Sequence, residues 1–216
     1  MVTIDDVIRA YYLHKSQGMM NALNNLHKKY SMQKNINQSL SKDLFEGVHQ
    51  ERLKYERKIH YAATFWETCY RLKPTSLLTD TSIKNFEDLY DEVDNLLLKK
   101  SKVRGIGRLT VYDIALRIGY IRQNQILPKD KIYLFAGANS GANQLFLSSP
   151  SFFTIPTSTT RIKEGRYDMT IFNSPLRDVP SFLLEDMFCV FHTLLGKMSK
   201  ISYARLQKVP SYVIQV

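Results

Sequence analysis

Between residues 86 and 121 the chain carries two helical apolar stripes with Gly105-Ile106-Gly107 between them, and few arrangements satisfy that pattern. Upstream, Phe86, Leu89, Tyr90, Val93, Leu96 and Leu97 recur at three- and four-residue spacing; downstream, Val111, Ile114, Ala115, Ile118 and Ile121 do the same. Each stripe must be covered, and the link between them is short, so the two helices are expected to pack as a hairpin. The charges agree with that reading. Glu87, Asp88, Asp91, Glu92 and Asp94 load the first half of the upstream helix, and Lys99 and Lys100 close its C-terminal end, as the helix dipole favours. Gly105 and Gly107 allow positive φ and close backbone approach, while Ile106 is expected to plug the hairpin and turn the neighbouring amides outward.

A helix N-terminus leaves backbone N–H groups without intrahelical partners, which makes it a site for phosphate. Lys99, Lys100, Lys102, Arg104 and Arg108 crowd this one, and no acid occurs between Asp94 and Asp113. The candidate binding residues are therefore Lys100, Lys102, Arg104, Gly105, Ile106, Gly107, Arg108 and Thr110, with amides from the turn on one phosphate and the cations supplying electrostatic grip. No base-reading element is visible. The formal net charge of +10 favours a polyanionic partner, though charge speaks of association and not of fold. Two plainer readings stand beside this one: a glycine turn between core helices in a basic protein that binds no polyanion, or a scaffold that docks an acidic protein partner.

Val103-Arg104-Gly105-Ile106-Gly107-Arg108-Leu109 resembles the helix-hairpin-helix element of DNA repair and recombination proteins, over Phe86–Tyr120. The resemblance implies non-specific binding of nucleic acid, duplex DNA foremost, through backbone phosphates. A wider run, Gly105 to Gly119 with Ile132-Tyr133-Leu134-Phe135-Ala136-Gly137, is similar to a group of uncharacterised bacterial proteins, which implies a bacterial or phage origin and no activity. The helix-hairpin-helix family includes base-excision glycosylases, whose bifunctional members carry a nucleophilic lysine two residues after the second glycine. Leu109 stands there, and leucine forms no Schiff base. The family's aspartate lies beyond the second helix; Asp130 is the nearest acid, but Leu127-Pro128-Lys129-Asp130-Lys131 lacks the family's pattern. A monofunctional glycosylase-like repair enzyme is the enzymatic alternative, and no catalytic residue is assigned.

Other chemistry is weaker. Cys189-x-x-His192 puts a thiol and an imidazole on one helical face, and His60 or Cys69 could approach them, but this pair reads better as core filling than as a zinc site. No metal or cofactor is assigned. The chain has no Gly-x-Ser-x-Gly, Walker or His-Glu-x-x-His motif, and Gly137-x-x-x-Gly141 reads as a plain loop. Asp113 and Arg117 are expected to pair on the helix surface. Arg52, Lys54, Arg57 and Lys58, interleaved with Tyr55 and Tyr61, and His27-Lys28-Lys29-Tyr30 read as solvated faces, with nucleic-acid contact as the second reading. Arg161, Lys163 and Arg166 would extend such a surface if they lay toward the glycine turn.

The expected organisation is a single, mainly α domain over residues 1–216 with minor β in the last third. Residues 4–30 read as a helix, opened by a Thr3-x-x-Asp6 capping box, and no signal peptide is evident. A polar connection follows from Gln33 to Ser41, and then one long helical pattern from Leu44 to Tyr70 that stops before Pro74. Ser82 or Asn85 caps the helix leading into the hairpin. Lys131–Ala136 is a strand, and Thr154–Ile162 with Tyr167–Phe172 would form a hairpin. Pro180-Ser181 opens a last, core-central helix ending near Gly196, and Ser211–Val216 has strand character. Cys69 and Cys189, both in helix-like apolar patterns, read as buried free thiols, with a single disulfide as the other reading; with no membrane-length apolar run, a cytoplasmic protein is expected. Because Leu109 replaces the amine, borohydride reduction is expected to trap no covalent complex with abasic-site DNA through that residue. A trapped complex that survives purification to homogeneity would show another lysine at work.

Overall fold

The computed structural model describes residues 17–45, 55–72, 77–102, 105–156 and 158–198. They form seven α-helices and a two-stranded sheet, so the chain is mainly α with minor β. The chain read from sequence as one domain gathers into two compact units, one spanning Gly18–Pro128 and the other taking in the residues from Lys129 onward.

The first unit is helical. In α1 (Gln17–Tyr30), Met19, Leu23, Leu26 and Tyr30 line one buried face. The polar connection expected over Gln33–Ser41 is partly helix: Asn37 accepts from the Leu40 amide at 2.8 Å and so caps α2 (Gln38–Leu44). The long expected pattern is divided: Leu44 ends α2, Val48 lies outside the described residues, and Tyr55 to Tyr70 belong to α3 (Tyr55–Arg71), which stops short of Pro74 as expected. The expected helical start at residues 4–16 and the strand-like tail lie outside the described residues.

Asn85 caps α4 (Phe86–Asp94), its side chain accepting from the Asp88 amide at 2.8 Å. The helix continues as a wider π-helical stretch, Asn95–Lys100, which turns the consecutive leucines 96 and 97 both inward. Next comes α5 (Arg108–Ile121), packed against α4, in which every residue from Val111 to Ile121 is buried. The expected surface pairing of Asp113 with Arg117 is therefore corrected. Both are buried, and the Arg117 guanidinium donates to the Leu44 carbonyl at 2.6 Å, satisfying a carbonyl at the end of α2. Burial holds the Arg117 guanidinium below its ordinary pKa, with Asp113 opposing. Beyond the helix, buried Arg122 donates to the carbonyls of Leu77 and of Asp80 (2.7 Å), tying the 77–83 loop to the end of α5.

In the second unit, β1 (Lys131–Leu134) pairs antiparallel with β2 (Gly165–Asp168), with Ile132 opposite Tyr167. This replaces the expected 154–162 hairpin arm, in which Pro156 lacks the N–H that a ladder needs. Only a remnant of that pairing survives, a Phe153–Phe172 bridge and a Thr154 amide on the Ile171 carbonyl at 2.8 Å. The segment read as a loop around Gly137 and Gly141 is instead the first half of α6 (Ala136–Ser148). Alanine, glycine and asparagine carry no hydrophobic period there, and the helix forms because small residues let it lie directly on α7 (Ser181–Met198). Gly137 faces the Cys189 sulfur, and a methyl group at Gly141 would overlap the Phe188 carbonyl. As expected, α7 starts at Ser181 and is central to its unit's core, with Leu184, Met187, Phe188 and Phe191 buried; it runs past Gly196. Gly141→Ala is expected to force α6 from α7 and lower stability by about 1–3 kcal/mol. A denaturant midpoint equal to that of the parent would refute the close approach.

Candidate functional site

The expected link between α4 and α5 is built by two backbone conformations. After Ser101, whose amide donates to the Leu96 carbonyl and closes the π-helical stretch, Lys102 adopts φ 46°. That left-handed position just past a helix end usually belongs to glycine or asparagine, and a lysine there costs on the order of 1 kcal/mol. Gly105 is the second, at φ 92°. Glycine is required there twice over, because a methyl group would also overlap the Tyr61 hydroxyl of α3. Ile106 is 8% exposed, so it is buried between the two glycines.

Gly107 differs from expectation in one respect. Its backbone is extended (φ −117°, ψ 178°), and a Cβ there would meet nothing within 4 Å. Its freedom lies in the open space at the helix mouth, and the positive φ belongs to Gly105. As the N-cap residue of α5, Gly107 offers no side-chain oxygen to the first turn, which also holds no acid. The first intrahelical bond is that of the Val111 amide on the Gly107 carbonyl at 3.1 Å, so the amides of Arg108, Leu109 and Thr110 have no intrahelical acceptor. Arg108 and Gly107 are exposed and Thr110 is half-buried.

The cations divide. Lys100, Lys102 and Arg108 are exposed at the turn, whereas Lys99 pairs with Asp94 at 3.4 Å. Arg104 and Val103 lie outside the described residues. Of the lesser clusters, Lys29 is engaged by Asp43 at 2.7 Å, so the end of α1 serves packing against α2. Arg52 and Lys54 lie outside the described residues, and Arg161, Lys163 and Arg166 belong to the second unit.

Two neighbours of the turn carry no signal in the sequence near it. Tyr61 lies against Gly105, and Thr68 Oγ1 is 2.6 Å from Ser101 Oγ, so α3 touches the connection at Ser101 and at Gly105. Both contacts join segments more than thirty residues apart, which no local pattern encodes. Cys69, on the same helix, has its thiol pushed up to about 12 by burial with Glu92 nearby, which keeps it protonated and unreactive at neutral pH.

The second glycine-bearing helix start offers a comparison. At α6 the Ala136 amide is taken by the Glu164 carboxylate at 2.9 Å, and Gly137 and Gly141 are used against α7. An anion arriving there would meet a carboxylate already in place. At α5 the first turn holds no acid and no side chain caps it, and Lys100, Lys102 and Arg108 are exposed. Among the described residues, no group of three His, Cys, Asp or Glu is placed to hold a metal ion, and no helix is long and apolar enough to cross a membrane.

Gly105→Ala is expected to lower stability by about 1–3 kcal/mol, from the left-handed backbone and the overlap together. Adding Tyr61→Phe removes the overlap and should return part of that loss, and a double variant no more stable than the single one in urea would contradict the contact. No family model, curated protein or solved structure matches the chain, so its function must be read from the turn itself.

Proposed function

We propose that this protein binds nucleic acid, duplex DNA foremost, without sequence preference, and that the 99–108 turn takes the phosphate backbone. The observation that carries this reading is the open N-terminus of α5, whose first-turn amides lack intrahelical acceptors and a capping side chain at Gly107, and whose first turn holds no acid. Lys100, Lys102 and Arg108 stand exposed around it. Two further features support the reading. Lys102 holds a left-handed conformation that glycine would adopt without strain, so a cation is kept where local stability favours its replacement. The resemblance of Arg104-Gly105-Ile106-Gly107-Arg108 to the helix-hairpin-helix element implies the same chemistry, with amides on one phosphate and basic side chains on its neighbours. Leu109 at the lysine position of the lyases favours binding over strand chemistry.

Two measurements test it. Affinity for a mixed-sequence duplex should fall with salt at a slope of about −2 to −4 in log–log form, near −0.9 for each phosphate neutralised. Replacing Lys102 and Arg108 together by Ala should reduce that slope by up to about 2 for every duplex sequence alike. Gly107→Asp separates binding from scaffolding, because the two properties should move in opposite directions. The new carboxylate caps α5 and stabilises the fold by a few tenths to about 1 kcal/mol, while it occupies the amides and repels phosphate. Weaker binding by a more stable protein supports the proposal. Unchanged binding, or no binding at low salt, would leave the turn as scaffold and put an acidic protein partner in front.

A further inference from the structure

We infer that the nucleic-acid surface continues from the turn, past buried Tyr61, onto Arg57 and Lys58 of α3, so that one strand is gripped by two helices at once. The inference rests on the reading of the turn given above. Its own observations are the two places where α3 touches the connection, Tyr61 at Gly105 and Thr68 at Ser101. Tyr61 and Thr68 are seven residues apart, so these contacts define which line along α3 faces the turn.

At about 100° per residue, Arg57 and Lys58 fall within about 60° of Tyr61 around the helix axis, on the turn-facing side. Arg57 is exposed and Lys58 half-buried. Glu56, the acid that would dilute them in sequence, falls about 140° away, as does Trp66, and Tyr70 falls opposite. Exposed Ile59 and Tyr70, with half-buried Trp66 stacked on Tyr70 at 5.5 Å, therefore look away from this surface. Arg57 lies one helical turn from Tyr61, about 6 Å along the axis. A nucleic-acid strand carries a phosphate for about every 3.4 Å of helix axis, so that step matches about two phosphates. Arg57 and Lys58 thus sit where the backbone leaving Lys102 and Arg108 would next need neutralising.

The test compares two variants of the full chain on one fluorescent mixed-sequence duplex over a series of salt concentrations. Arg57→Ala/Lys58→Ala is expected to lower the slope by about 1–2 and to weaken binding to all duplexes alike. Arg57→Lys/Lys58→Arg keeps both charges and should keep the slope, which separates charge from any packing of the half-buried Lys58. If the alanine pair keeps the parent slope while Lys102→Ala/Arg108→Ala loses its share, the inference is overturned and the reading of the turn stands. If the loss is confined to the α3 variant, or neither variant changes the slope, both are overturned. Far-UV circular dichroism equal to the parent's confirms that each comparison is made on folded protein.

Discussion

The burial of α5 is the constraint on which the helical unit depends. With every residue from Val111 to Ile121 buried, this helix is surrounded, and α4, the end of α2 and the 77–83 loop are each tied to it. A helix placed in that way can meet solvent at its first turn, residues 108–110, and there its amides lack intrahelical acceptors. The position of the candidate site thus follows from packing. The core fixes the body of the helix, and its positive end is left open.

Burying Arg117 inside the unit shows what that packing requires. A guanidinium removed from water needs both a charge and hydrogen-bond acceptors, and it finds Asp113 and the Leu44 carbonyl. The same demand for satisfaction operates at α6, where Glu164 takes the first amide. That α5 lacks such a cap is therefore informative. A Ser, Asp or Asn at position 107 would be favoured by helix energetics alone, and glycine stands there instead. Together with Lys102 in a left-handed conformation, this makes the turn a place where local stability is given up on both sides of Ile106.

Side-by-side placement of α3 and the connection gives the candidate surface its breadth. The Tyr61 and Thr68 contacts settle which side of α3 faces the turn, and that side carries cations while the stacked Trp66–Tyr70 pair lies on the other. On the inferred surface, two basic clusters about forty residues apart along the chain would lie side by side, and one polyanion would serve both.

Much of the helical unit is legible in the sequence because its signals are local. Apolar spacing marks α4 and α5, Asn85 marks a cap, Pro74 limits α3, and Ile106 between two glycines marks a plugged turn. The sequence also determines the excess of positive charge and its concentration around residues 99–108. Only tertiary structure decides the rest. That Gly105 and not Gly107 needs positive φ depends on Tyr61 and on the path of the chain. That Asp113 and Arg117 are buried depends on what surrounds α5, since charge spacing alone reads as a surface pair. The 137–143 segment is helical because α7 presents a surface that small residues can approach, and β2 pairs with β1 because the apolar run Ile132–Leu134 needs a partner that Pro156 denies to the nearer segment. Each of these depends on contacts between residues distant in the chain, whose free energy no local pattern of residues expresses.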